Sequence, residues 1–119
     1  MTIHNFWLKQ SNLIEWFKKP SIAYKTKNNN FVEWFPDGKL NIFHNCITKN
    51  LKAGLKNKIA IYTVNEKKEI ESFTYKQLDE KINIFSNIIL KKFKTKKVSS
   101  GKIIIHSSAS IEASVSMLS

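Results

Sequence analysis

Apolar residues recur at spacings of three and four over some stretches of this chain and cluster over others. Each pattern predicts an element. The clearest stripe is Tyr75, Leu78, Ile82, Phe85 and Ile89, one face of a helix ending near Lys92 to Phe93. Thr74 opens it and Gln77 stands three residues on, the pairing of a capping box: the hydroxyl accepts from the N3 amide and the Gln side chain reaches back. Upstream, Lys58 to Val64 is rich in β-formers and predicts a strand. Asn65 to Lys68 predicts a charged hairpin loop, and Glu69 to Phe73 the partner strand, with Ile70 and Phe73 its apolar residues.

Nearer the start, Asn5 to Lys19 carries Phe6, Leu13, Trp16 and Phe17 at roughly helical spacing. This predicts a short amphipathic helix stopped by Pro20. Its few lysines and Glu15 suit packing on a larger body better than lying on a membrane. Asn28-Asn29-Asn30 predicts a loop. Phe31 to Phe35 is apolar and aromatic, and Pro36-Asp37-Gly38 has strong turn chemistry. Asn41 can cap a helix from Ile42 to Leu51 with Ile42, Cys46, Ile47 and Leu51 inward, and Gly54 can stop it.

Toward the other end, Lys91 to Lys97 is lysine-rich, which suits the negative end of a helix dipole. Gly101 predicts a turn. Lys102 to His106 predicts a short buried strand, because Ile103-Ile104-Ile105 is apolar on both faces, as in a parallel sheet covered by helices. Ser108 or Ser110 would cap a last helix carrying Ile111, Val115 and Leu118, whose pattern meets no stop signal before Ser119. Strand, helix, strand and part of a helix predict the opening of an α/β fold, hence the beginning of something longer.

Composition changes this picture only in part. The 119 residues suit one small domain, and 42% hydrophobic with 24% charged residues excludes a wholly disordered chain. No apolar run approaches the roughly 20 residues that cross a bilayer. Met1 to Lys19 lacks the continuous apolar core of a secretory signal. The single cysteine, Cys46, excludes an internal disulfide and a Cys-cluster zinc site. Net charge is +11, the usual footprint of a nucleic-acid binder. Yet all twenty basic residues are lysine, and arginine is the residue suited to bidentate phosphate and guanine recognition. Abundant Lys, Asn and Ile, all with AT-rich codons, read instead as codon bias on solvated faces.

Candidate chemistry is sparse. Three glycines leave no phosphate loop, no G-x-G-x-x-G and no nucleophile elbow. His4, His44 and His106 lie far apart with no metal-binding partner at helical spacing. Glu69, Glu71, Asp79 and Glu80 include close carboxylates, but on a polar strand face and in a helix's first turn, where acids suit the dipole. Cys46 reads as a small core residue on an apolar helix face. No catalytic, cofactor-binding or metal-binding residue is assigned.

What the residues do carry is a resemblance. Asn5-Phe6-Trp7 and Ile14-Glu15-Trp16-Phe17-Lys18-Lys19-Pro20 are followed by Trp34-Phe35-Pro36-Asp37-Gly38-Lys39-Leu40-Asn41-Ile42-Phe43-His44-Asn45-Cys46. Lys58 to Tyr62, Phe73 to Leu78 and Glu112 to Leu118 continue the series. In this order and spacing they resemble the N-terminal region of acetyl- and propionyl-CoA synthetases, of the adenylate-forming superfamily. The loop after Tyr62 is somewhat more similar to the propionyl enzymes. Departures fall at Ser100-Gly101, at His106-Ser107-Ser108 and at Ile111, where the family has Gly-Asp, Tyr-Met-Pro and proline.

The resemblance implies an incomplete α/β fold: residues 1–57 an N-terminal helical arm, residues 58–119 the truncated start of the AMP-binding domain. It implies a parent ligase that joins acetate or propionate to coenzyme A with Mg-ATP, through an acyl-adenylate and pyrophosphate. ATP, Mg and coenzyme A are implied for that parent and none for this fragment, which is expected to be inactive. The expected partners are small molecules in the cytoplasm, with no specific nucleic acid and no membrane. The alternative is a stand-alone basic module that binds nucleic acid through lysines and aromatics.

Overall fold

A computed structural model describes residues 2–27, 31–96 and 101–119. Asn28, Asn29, Asn30 and Lys97 to Ser100, with the loop and run end expected there, lie outside the described residues. Contacts divide the chain into two units, Met1–Asn45 and Cys46–Ser119.

In the first unit, helix α1 spans Ile3–Gln10, capped by Thr2, whose hydroxyl accepts from Asn5 N at 3.3 Å. A single 3-10 turn, Ser11–Leu13, ends it, and Ile14 is already extended. The helix expected to reach Lys19 therefore stops nine residues short, because better partners claim the backbone beyond it. Glu15 N donates to the Asn45 side chain at 2.8 Å, Phe17 N donates to Lys39 O at 2.7 Å, and Lys39 N returns a bond to Lys18 O at 2.9 Å. Tertiary hydrogen bonds override a helical apolar pattern here.

Strand β1 (Tyr24–Lys27) pairs antiparallel with β2 (Phe31–Trp34), Tyr24 opposite Trp34 and Lys27 opposite Phe31. Aromatic rings of α1 and this ribbon interlock: Trp34 lies edge-on to Trp7 at 5.0 Å and tilted against Tyr24 at 5.6 Å. Trp34 is still 49% exposed. Two strands have no second layer to cover their outer side. The expected turn is present, with Gly38 N bonded to Phe35 O at 2.9 Å.

Where the chain passes from the first unit to the second, a π-helical turn whose run is His44–Thr48 leads into α2 (Lys49–Lys52). Asn41 does cap its approach, its side-chain oxygen accepting from His44 N at 3.0 Å. Gly54, at φ 80, ends it in a left-handed cap: Leu55 N reaches Asn50 O at 3.0 Å and Gly54 N reaches Leu51 O at 3.1 Å. The π turn adds a residue to the helical period, so the stripe drawn at 3.6 residues per turn is out of phase. Ile47 is buried, but Cys46 and Ile42 are exposed, which corrects the core placement of both.

Strands β3 (Ile59–Val64) and β4 (Ile70–Thr74) form the expected hairpin, in register from Tyr62 opposite Ser72 to Val64 opposite Ile70. Asn65 organises its turn, accepting from Lys67 N and Glu69 N while Lys68 takes φ 64. Helix α3 spans Tyr75–Thr95 with the complete capping box, and Leu78 and Ile82 are buried. Its last turn is lysine-bearing, as the dipole favours. Helix α4 (Ile111–Leu118), capped by Ser110, packs on α3 through Ile111 and Val115.

Lys102–His106 is not a strand. These residues are irregular, and Ile104 is 90% exposed. A run apolar on both faces needs a strand on either side and a layer above and below, and no described strand pairs with it. The described architecture is thus a mixture of helices with two small antiparallel ribbons, and the parallel sheet that the pattern predicts is not among the described residues.

Candidate functional site

A densely bonded polar cluster lies in the first unit. Asn45 clasps Glu15: its side-chain oxygen accepts from Glu15 N at 2.8 Å, and its amide donates to Glu15 O at 2.9 Å and to Asn41 O at 3.0 Å. One side chain thereby replaces a paired strand for the extended segment after Ile14. His44 Nε2 meets the Glu15 carboxylate at 2.6 Å, an ion pair when the ring is protonated. A second clasp closes the loop before β1. Asp37 accepts from Ser21 N at 2.9 Å, from the Ser21 hydroxyl at 2.6 Å and from Ile22 N at 3.2 Å. Those bonds, the Ser21 hydroxyl foremost, hold its carboxyl down at about 2.

The same unit has an open groove of about 650 Å³, lined by Trp16, Trp34, Phe35, Leu40 and Lys39 among others. Trp16 is fixed by its indole N–H, which donates to Ser11 O at 2.8 Å, and lies edge-on to Phe35 at 5.4 Å. Gly38 is required beneath it, since a Cβ there would lie 2.7 Å from the Trp16 ring. The groove can hold an apolar or planar group beside one cation. Nothing in its lining is a nucleophile or a poised general base.

The residues singled out in the sequence do not converge. His4 accepts from Ala23 N at 3.4 Å and lies tilted against Tyr24 at 5.7 Å, while His44 pairs with Glu15. His106 stands exposed in the irregular segment. Glu69 holds the hairpin turn through Asn65, Glu71 faces Thr63 across the ribbon, and Glu80 lies 3.9 Å from Lys76. Asp79 and Glu80 sit beyond the first turn of α3, which carries no acid, so the dipole argument does not apply to them. Among the described residues no three His, Cys, Asp or Glu side chains are grouped to hold a metal.

The start of α3 is also closed to phosphate. Tyr75 N donates to Lys58 O and Lys76 N to Lys56 O, both at 3.1 Å, and Gln77 N is taken by Thr74. In the second unit a smaller groove of about 290 Å³ lies between α3 and α4, lined by Ile84, Phe85, Ile88, Ile111 and Val115, with Lys81 and Glu112 at its mouth. Its own amide, then the Ser110 hydroxyl and the Lys81 charge, lower the carboxyl of Glu112 below the usual range.

Sequence reasoning missed both clasps. Pro36-Asp37-Gly38 signalled the turn but not the bonds from Asp37 to residues far upstream. The pairing of Asn45 with Glu15 spans thirty residues and leaves no local signal.

Comparison with known proteins places these residues. Residues 2–46, which include both clasps and the whole aromatic groove, match the family model for the acetyl-coenzyme A synthetase N-terminus. Among individual proteins, the chain is similar to the acetyl-coenzyme A synthetase of Leptospira biflexa, 41% identical over 97 residues, covering 77% of this chain and 14% of that protein. The Streptomyces coelicolor protein of the same name is 32% identical over 85 residues, 71% of this chain and 13% of that one. The Helicobacter pylori (strain G27) protein, again so named, is 32% identical over 105 residues, 88% of this chain and 15% of its own length. The chain thus spans about a seventh of the length of the curated relatives it matches. These matches support the N-terminal portion of an acyl-CoA synthetase. Among the described residues no helix is long and apolar enough to cross a membrane.

Proposed function

We propose that this chain is the N-terminal portion of an AMP-forming short-chain acyl-CoA synthetase. The observation that carries the reading is similarity over 85 to 105 residues to several acetyl-coenzyme A synthetases, with the clasped arm inside the matched segment. The parent reaction joins a carboxylate to coenzyme A at the expense of ATP. A carboxylate is a poor electrophile, and adenylation supplies a good leaving group. In this reading the substrates are acetate or propionate, Mg-ATP and coenzyme A, all acting on the parent in the cytoplasm. The chain's own contribution is structural: residues 1–57 serve as an arm, and residues 58–119 begin the AMP-binding domain. In this reading the chain by itself is inactive.

The test is a chimera in which this chain replaces the matching segment of the Leptospira biflexa enzyme. Release of pyrophosphate that depends on carboxylate supports the reading, and the ratio of acetate to propionate turnover reports the choice of acid. A chimera that is soluble but inactive with both acids would overturn it. Turnover by the isolated chain above a boiled control would overturn its structural role.

One observation favours a second reading, a basic module that stacks unpaired bases. Phe17 is 77% exposed beside Lys18 and Lys19, and Trp34 is half-exposed. Five other aromatics, Phe6, Trp7, Trp16, Tyr24 and Phe35, are engaged in ring pairs, and no arginine accompanies them.

A further inference from the structure

The first unit sets two lysines against each other. Lys18 and Lys39 face one another across an antiparallel bridge, Lys18 N donating to Lys39 O at 3.1 Å and Lys39 N to Lys18 O at 2.9 Å. Residues paired in this way project to the same face of a ribbon, and like charges directly opposite destabilise it. Phe17 N also donates to Lys39 O at 2.7 Å, so two residues oppose one, the pattern of a bulge, which re-aims a side chain. Phe17 is 77% exposed and lines, with Lys39, the open aromatic groove of this unit. Residues 1–45 hold six lysines against three acids, and each acid is engaged elsewhere: Glu15 by His44, Glu33 by Lys27, Asp37 by Ser21. Among the described residues neither the Lys18 nor the Lys39 ammonium has a partner.

An exposed apolar side chain beside two unmatched cations fits a partner that brings carboxylates together with an apolar anchor. A second copy of this chain, at +11, would bring more positive charge to the face. A nucleic-acid strand needs flat platforms at successive bases along a charged track. Here Trp16 meets Phe35, and Trp7 meets Trp34, edge-on at 68°, and the opposed cations sit at one bridge. A small molecule is held in a cavity that closes over most of it, whereas this groove is open and its Trp34 is half-exposed. We infer that the Lys18–Lys39 bridge and the groove beside it form a docking site for an acidic segment of a separate protein, with carboxylates seated between the two ammoniums and an apolar anchor laid against Phe17 and Trp34. An anion placed there turns the repulsion into two charge-assisted contacts. Aromatic anchors with a polar rim are also the anatomy of a protein interface. This inference is independent of the function proposed above.

The experiment titrates a fluorescein-labelled peptide, Asp-Glu-Phe-Asp-Glu, with the full 119-residue chain at physiological salt and reads anisotropy. Expected is an affinity loss of about fivefold or more for each of Lys18→Gln, Lys39→Gln and Phe17→Ala, all at exposed positions, with circular dichroism unchanged. Lys91→Gln and Lys94→Gln remove the same charge from the other unit and should change binding by less than about twofold. A peptide with alanine in place of its phenylalanine should bind about fivefold more weakly. The chimera described above should keep the peptide affinity within about threefold. Equal losses at all four lysines would reduce the binding to net charge and overturn the inference, as would equal affinity for the alanine peptide or no binding at all. Loss of binding in an active chimera would give the face to the remainder of that enzyme, which overturns the inference and leaves the proposed function standing. Tighter, Phe17-dependent binding of a single-stranded oligonucleotide or of phosphatidylserine vesicles, or self-association broken by Phe17→Ala, would assign the face to that occupant and overturn the proposal.

Discussion

Removing the Thr74 hydroxyl tests the most fully specified local feature of the fold. Helix α3 begins with three donors satisfied by different means: Tyr75 N and Lys76 N by backbone carbonyls, Gln77 N by the Thr74 hydroxyl at 3.2 Å. Thr74→Ala therefore orphans one donor, not three. The Gln77 side chain still accepts from Thr74 N at 2.9 Å, and water can reach the freed amide. The cost should sit near the lower middle of the range for lost caps, about 1 kcal/mol, which is roughly a fivefold fall in the folded-to-unfolded ratio. Thr74→Ser keeps the acceptor and should be close to neutral. Thr74→Gly should cost only a few tenths of a kcal/mol, because bare backbone lets water solvate the helix end. The assay is urea unfolding followed by helical circular dichroism, with the midpoint compared at constant slope. The order Ser, Gly, Ala in increasing cost is the signature of a cap. Equal values for Ser and Ala would refute it, as would Gly costing more than Ala.

The other expectations reach the rest of the chain. Ile82→Ala, at a side chain only 1% exposed, should cost roughly 2–5 kcal/mol in the same assay, and a cost under about 0.5 would show the α3 face is wrongly placed. Gly38→Ala forces the Trp16 ring aside and should destabilise the first unit by roughly 1–3 kcal/mol with altered tryptophan emission; unchanged emission and stability would contradict the close approach. Asp37, held at about 2 in the folded chain, stabilises the first unit fully above its ordinary range near 3.8 and loses that contribution as pH falls from there toward 2. Tryptophan emission should report an acid transition in that window that Asp37→Asn removes, and an identical transition in the variant would refute the clasp. At +11 the chain should bind single-stranded and duplex oligonucleotides only weakly, losing the interaction as salt rises from low to physiological. Submicromolar, sequence-dependent binding at physiological salt would favour the basic-module reading instead.

What was legible in the sequence was local chemistry. Thr74 with Gln77, Asn41, Gly54, Ser110 and the β3–β4 loop each act within a few residues, and each does in the structure what its side chain suggests. Errors arose where distant groups decide. Ser11 and its neighbours leave the helix because Asn45 and Lys39, far along the chain, hold the backbone of residues 15–18. Cys46 was placed inward by a period that the π turn breaks. Strand β1 passed unnoticed because Tyr24-Lys25-Thr26-Lys27 carries little apolar signal and owes its pairing to Phe31–Trp34. The aromatic groove was half legible: Trp16, Trp34 and Phe35 stood out, but the bonds that set them around Gly38 did not.

If the proposed function holds, Lys102–His106 becomes a strand only when the chain is joined to the rest of an α/β enzyme. Amide hydrogen exchange at residues 102–106, in the isolated chain and in the active chimera, tests it most directly. Exchange should be near-unprotected in the isolated chain and at least a hundredfold slower in the chimera. Equally fast exchange at Ile103, Ile104 and Ile105 in a chimera that turns over acetate or propionate would contradict it.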